Sequence, residues 1–461
     1  MINLWRIVIM STARSFFRAI LLLAIAPALA GLPAQGYAAE DKVVIVTSFP
    51  KDLTGKFKTE FEKRNPNVKV EILNKSTSSG IKYVQETARN NTSDIFWASA
   101  PDAFEVLKGD GLLQKYTPKV AGIPEKVGAY PINDPDGFYS GFAAAGYGIM
   151  WNTRYIKAKK LKPAKEWVDL TRPEYFGHVG MSAPSRSGTT HLTVETVLQG
   201  DGWEKGWALW KEMAGNFKTV TERSFGVPDG VNSGDFGFGI VIDFFGLSSQ
   251  ASGFPVEFVY PTVTTLVPAN VGILKNAPHP QVAAAFVEFL LSPDGQATLL
   301  DPKIMRLPVN PATYAKAPPG FPDPFKDKSI GAAVKFDVDL SKRRYNVINS
   351  LFDVMVTYRL DDLKAATRAI QNAEAAAAKK PGDKKVAALI KEARALVAAV
   401  PVTEAQASDP AFSSVFKKRR KKKTDVLPKR QAEVEEQWDA FVTKNYAAAQ
   451  AKAEQALSMT R

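Results

Sequence analysis

Gly146-Tyr147-Gly148-Ile149-Met150-Trp151-Asn152 reads as an extended apolar segment, and Pro261-Thr262-Val263-Thr264-Thr265-Leu266-Val267 reads as a second one. An α/β stretch lies between them, and another precedes the first. Two such crossings around an inserted domain imply that one lobe is built from chain on both outer sides and the other lobe from the chain between. A pair of lobes joined twice closes by bending at a few residues. The boundaries that follow are residues 40–145 and 263–340 for lobe one and 146–262 for lobe two.

Working outward, lobe one opens on Lys42-Val43-Val44-Ile45-Val46-Thr47-Ser48-Phe49, a buried-type strand ending in small polar residues. Leu53, Phe57 and Phe61 follow at helical spacing. Val68 to Leu73 is again β-rich, a helical segment runs through Tyr83 and Ala88, and Asp94 to Ala100 is a third strand pattern. Strands alternating with helices predict an α/β fold. From about Ser341 the composition changes: Arg344 to Leu360 is helix-like, Ala365 to Val400 is an Ala- and Lys-rich helical hairpin broken at Pro381-Gly382, and Gln431 to Leu457 is a final helix. A basic run, Lys417 to Lys423, precedes the last helix. A run of seven cations ordinarily marks a solvated segment; the alternative is that the helices pack on lobe one and present it to an acidic partner domain or anionic lipid headgroups. Because the ligand site is expected between the lobes, deletion after about Val400 should leave small-molecule affinity unchanged.

The N-terminus carries Arg6, Arg14 and Arg18, an apolar stretch from Ala19 to Ala30, and small residues ending Gly36-Tyr37-Ala38-Ala39. That is the pattern of a secretory signal peptide over residues 1–39, and its apolar part is shorter than the roughly 20 residues a membrane span needs. The chain has no cysteine, which excludes disulfides, thiolate metal sites and a lipid-modified anchor. Export to the periplasm as a free protein is the expectation. A net charge of +13 suits anionic partners, although the leader arginines and the C-terminal region carry much of it.

In open α/β sheets, ligands bind beyond the carboxyl ends of strands, where helix N-termini point outward. Small hydroxyl residues stand at several such ends: Ser48, Ser78 and Ser79, Ser99, and Ser185-Arg186-Ser187-Gly188-Thr189-Thr190-His191. In the last of these, Ser187 to Thr189 would open a helix and Arg186 would grip two oxygens of a phosphate or carboxylate. An ordinary N-cap explains the same hydroxyls equally well. Arg223 and Ser224 sit at another strand-to-helix junction, where a surface ion pair is the plainer reading. Asp243, in Val241-Ile242-Asp243-Phe244-Phe245, is a carboxylate at an apolar strand end, and would orient an arginine, receive a ligand hydroxyl or amine, or cap the next helix.

Signals for catalysis are weak. His178, His191 and His279 are too scattered for a short-spaced metal motif, and no HExxH, GxSxG or phosphate loop occurs. Gly234-Asp235-Phe236-Gly237-Phe238-Gly239 reads as a turn, and His191 as a packed or capping histidine before a base. No enzyme activity, cofactor, metal or nucleic-acid partner is expected.

These segments together, with Phe286 to Gln296, resemble the extracellular solute-binding proteins of the iron, thiamine and phosphonate type, over about Asp41 to Pro311. Closer strings are Ser182 to Leu192, Arg223-Ser224-Phe225-Gly226-Val227, Val241-Ile242-Asp243, Arg344-Tyr345-Asn346 and Leu351-Phe352-Asp353. They are similar to the periplasmic phosphoglycerate transport regulatory proteins. The resemblance implies a two-lobed type II periplasmic binding fold with a C-terminal α-helical extension. It further implies capture of a small phosphorylated or phosphonate anion for uptake through an ABC permease, and a monomer is the expectation for the chain. An alternative is a ligand-sensing adaptor acting through a membrane sensor kinase; another is binding of Fe(III) or thiamine phosphate. Iron binders of the class carry adjacent tyrosines where this chain has Phe244-Phe245, which argues against tyrosine-based Fe(III) binding.

Overall fold

The computed structural model describes residues 41–416, 418 and 425–460. The leader and, Lys418 apart, the basic run lie outside the described residues. Val43 to Val46 are fully buried between neighbours on both sides, as expected of a continuous apolar run in a parallel core. That strand, Asp41–Thr47, is flanked by Val68–Asn74 and Ile95–Ala98, both parallel to it. Val267–Ile273, Ser140–Ala145 and Leu307–Pro308 add antiparallel to complete a six-stranded sheet. Phe49, Phe57, Trp97, Phe142, Phe286 and Phe289 form an edge-to-face aromatic core on this sheet. Pro268 lacks a ladder donor and is tolerated beside a bulge at Ala269/Asn270.

A second, five-stranded sheet has the order Val256–Val259, Tyr147–Asn152, Phe238–Ile242, Val179–Ser182 and Phe217–Thr221. The chain leaves the first sheet at Gly146 and returns between Val259 and Val267. Glycine is required at the first passage: a Cβ on Gly146 would lie 2.8 Å from the Tyr260 ring, and one on Gly148 would lie 2.0 Å from Val259 O. Asp243 stitches the passages together. Its carboxylate accepts from Gly146 N at 2.7 Å, Phe244 N at 2.7 Å and the Tyr260 hydroxyl at 2.9 Å.

The extension comprises Val338–Phe352, Leu360–Ala377, Lys384–Ala398 and Lys429–Met459. Where the alternative reading has the helices pack on lobe one, most of the extension is carried by the five-stranded lobe. Trp203 Nε1 donates to Val402 O at 3.0 Å, Gln371 donates to Asn216 at 2.9 Å, and Arg394 pairs with Glu212 at 3.3 Å. The physical reason lies in the helix Trp203–Ala214, whose buried Trp203, Trp207 and Trp210 need an apolar cover; Phe352 supplies part of it. The final helix is no appendage. Trp438, Val442 and Tyr446 are buried, and Trp438 stacks on Phe416 at 5.0 Å. Deletion after Val400 would therefore strip away core and could not serve as a neutral truncation. Among the described residues no helix is long and apolar enough to cross a membrane.

Candidate functional site

Strand ends of both sheets face one cleft with about 350 Å³ of non-atom space, including its open mouth. Ser48 follows the first strand, Ser99 follows Ile95–Ala98, and Thr77 opens a helix on the same lobe. From the other lobe come Arg186, Ser187 and Thr189 around the start of Gly188–Asp201, and Arg223 with Ser224 before Gly226–Ser233. The two walls meet. Gly188 N donates to Thr77 Oγ1 at 3.2 Å, Ser78 Oγ donates to Ser185 O at 2.8 Å, and Arg223 Nη2 donates to Asn74 Oδ1 at 3.4 Å. A Cβ on Gly188 would come within 2.6 Å of Ala100 Cβ, so the approach of the lobes depends on glycine there.

The helix start is partly committed within the protein. Ser187 Oγ accepts from Thr190 N at 3.2 Å, as an N-cap does, and Gly188 N is bound to Thr77. What remains for an anion is the charge of Arg186, itself 3.3 Å from Glu222, and of Arg223, whose guanidinium lies 4.9 Å from the Phe225 ring centroid.

Arg306 is the group that sequence reasoning missed. It is fully buried, lines the cleft, and lies between two rings, with its guanidinium carbon 4.5 Å from the Phe49 centroid and 3.7 Å from that of Phe244. One ring belongs to each lobe. Nη2 donates to Ser99 Oγ at 3.2 Å, while Nε and Nη1 meet no acceptor among the described residues. Burial pushes this guanidinium down to about 9, against the opposing field of Asp243. The preceding Met305 has φ +45°, a strained conformation for a side chain of that size, held where the chain delivers Arg306. The signal in the sequence was a lone cation in the apolar run Ile304-Met305-Arg306-Leu307-Pro308.

Other expected contacts are placed elsewhere. Ser78 and Ser185 are joined to each other and line a separate cavity, and Ser79 Oγ is bonded to Ser76 Oγ at 2.8 Å. Thr190 is bonded to the Ser182 hydroxyl inside the lobe. His191 is fully buried, with Nδ1 3.0 Å from Asn349 Oδ1 and Nε2 3.2 Å from Ser341 Oγ. Asp243 is enclosed by its three donors, and burial raises it to about 6 despite them. It reaches the cleft only as a field on Arg306. The positions expected for a phenolate pair are the packed rings Phe244 and Phe245, 4.2 Å apart. Among the described residues no cluster of three or more His, Asp or Glu could hold a metal ion.

Residues 90–331 match the family model of the bacterial extracellular solute-binding proteins. The phosphoglycerate transport regulatory protein PgtC of Salmonella typhimurium is 30% identical over 386 residues, covering 83% of this chain and 91% of that protein. The periplasmic binding protein AfuA from Actinobacillus pleuropneumoniae, with fructose-6-phosphate bound, superposes with a TM-score of 0.61 at 23% identity, covering 68% of this chain and 98% of that one. Iron-bound HitA from Pseudomonas aeruginosa does so at 0.53 and 18% identity, covering 64% of this chain and 96% of its own. Both have the two-lobed periplasmic binding fold. The chain thus belongs to the bacterial extracellular solute-binding proteins and, within them, to the family of the phosphoglycerate transport regulatory protein.

Proposed function

We propose that the protein captures a small phosphorylated metabolite in the cleft between its lobes and performs no chemistry on it. The observation that carries this reading is Arg306, a buried cation with two donors unspent, facing a cleft that also holds Arg186 and Arg223. A buried donor without an acceptor costs about 1–3 kcal/mol, and an oxyanion entering the cleft would recover it. Ser48, Ser99, Ser187, Thr189 and Ser224 supply hydroxyls around the three cations. Three guanidinium groups suit a ligand with two to three negative charges, such as a phosphate and a carboxylate on one short skeleton. Phosphoglycerate meets that description, and the regulatory relative is named for it. The sugar phosphate in AfuA shows that this fold accepts phosphorylated ligands.

The leader directs export, so the site would work in the periplasm, handing ligand to an ABC permease or reporting it to a membrane sensor kinase. Similarity over 91% of the regulatory relative favours the reporting role. Isothermal calorimetry on the mature protein tests the ligand class. Saturable one-to-one binding of 3-phosphoglycerate or fructose-6-phosphate is expected. Stoichiometric Fe(III) loading with a visible charge-transfer band, and no heat from either phosphate, would overturn it.

A further inference from the structure

The extension also makes buried polar contacts at the junction of the lobes. Asp102 on the helix Pro101–Gly109 of the six-stranded lobe, His191 on Gly188–Asp201 of the other, and Ser341 with Asn349 on Val338–Phe352 form one node. All four side chains are buried. Ser341 Oγ donates to Asp102 Oδ2 at 2.9 Å, His191 Nε2 lies 3.2 Å from that same carboxylate oxygen, and His191 Nδ1 lies 3.0 Å from Asn349. Ser341, Tyr345 and Asn349 succeed one another at four-residue spacing, a helix stripe along which the imidazole lies, 4.3 Å from the Tyr345 ring.

The polar attachments differ in kind. To the five-stranded lobe the helix is fixed by a buried fork: Arg344 donates to both Glu195 oxygens at 2.8 and 2.7 Å and also pairs with Glu404 at 2.7 Å. Gln199 and the backbone of Asp337 add a reciprocal pair at 2.7 and 3.0 Å. To the six-stranded lobe the polar links are Ser341 to Asp102 and the looser Lys342–Glu105 pair at 3.5 Å. The helix is thus tied to both lobes, with its buried ion pairs on the five-stranded one and packing plus the Ser341–Asp102 bond on the other.

We propose that Val338–Phe352 is a brace across the hinge: it holds the lobes together through Asp102 and His191, so that cleft closure and the seating of the extension are one equilibrium. Rotation about Gly146 and the 260–266 segment must break or slide the node, leaving buried polar atoms without partners. By linkage, a ligand that favours closure seats the brace, and anything that displaces the brace weakens the ligand by the same factor. His191 and Ser341 are positioning residues on this account, acting on the cleft through the helix that begins at Gly188. The brace rests on the geometry of the lobes and makes no use of ligand identity.

The absence of cysteine allows a clean distance probe. Cysteines for spin labels at exposed Lys63 and Lys218, one on each lobe, report lobe separation in the full mature chain by double electron–electron resonance. Ser341→Ala with Asn349→Ala should lower the closed-to-open ratio about 5- to 150-fold, seen as a second, longer distance. Ser341→Ala alone, which removes the link to Asp102, substitutes if the double variant does not fold. Adding 3-phosphoglycerate should restore the short distance at a concentration raised by a comparable factor. An unchanged distance distribution in the folded variant overturns the brace even if the cleft binds phosphates. A shifted distribution that no phosphate reverses supports the brace and counts against the cleft reading alone.

Discussion

Replacing Arg306 with methionine should separate binding from stability. Methionine fills much of the same space between Phe49 and Phe244 and carries no charge. In the folded protein without ligand, burial lowers the guanidinium from its ordinary 12.5 to about 9, net of help from Asp243. That corresponds to on the order of 5 kcal/mol withheld from the charged form. Against it stand two desolvated ring contacts, about 2 kcal/mol each, and one charge-assisted bond to Ser99, about 1.5–3 kcal/mol. The two sides nearly cancel, so the stability of Arg306→Met by urea unfolding should stay within about 2 kcal/mol of the parent. Ligand binding has no such cancellation. Removing a buried cation from an anion it pairs with costs about 2–5 kcal/mol, or roughly 30- to 5,000-fold in Kd for 3-phosphoglycerate by calorimetry. A folded variant with unchanged affinity would refute the assignment of Arg306 to the ligand. Destabilisation well beyond 4 kcal/mol would show the guanidinium to be a structural strut.

Three further outcomes follow from the packing. Gly188→Ala places a methyl 2.6 Å from Ala100 across the closing walls, and should weaken phosphate binding at least about tenfold with little change in Tm, whereas an unchanged Kd would mean the lobes need not approach there. Lys211, buried with its ammonium on Ala399 O, is lowered by burial to about 7 from 10.5. Over that interval the unfolded chain binds more protons, so this residue makes stability rise from pH 7 towards pH 9; in urea melts Lys211→Met should be more stable at pH 7 and lose that part of the slope. Trp438→Ala, which opens the stack with Phe416, should cost about 3–5 kcal/mol in the same melts, and a loss below 1 kcal/mol would show that the last helix is dispensable.

Local patterns gave up the α/β class and the helical extension, because apolar periodicity and glycine placement are properties of neighbouring residues. Strand ends carrying Ser48 and Ser99, and the junctions at Arg186 and Arg223, were legible for the same reason: ligand sites of this architecture lie at strand termini, and a terminus can be read from a few residues. Whether a hydroxyl there faces ligand or protein is set by what arrives from elsewhere in the chain. Thr77 reaches Gly188 from 111 positions away, and Ser341 and Asn349 reach His191 from 150 and 158. Asp243 looked like a ligand contact until the Gly146 amide and the Tyr260 hydroxyl closed around it. Arg306 has no motif at all; what marks it is the pair of rings and the missing acceptors, and both exist only once the lobes have come together. Residue type and spacing determined which groups could stand at strand ends, and long-range packing decided that Arg306 is left in the cleft with donors to spare, since desolvation depends on neighbours in space.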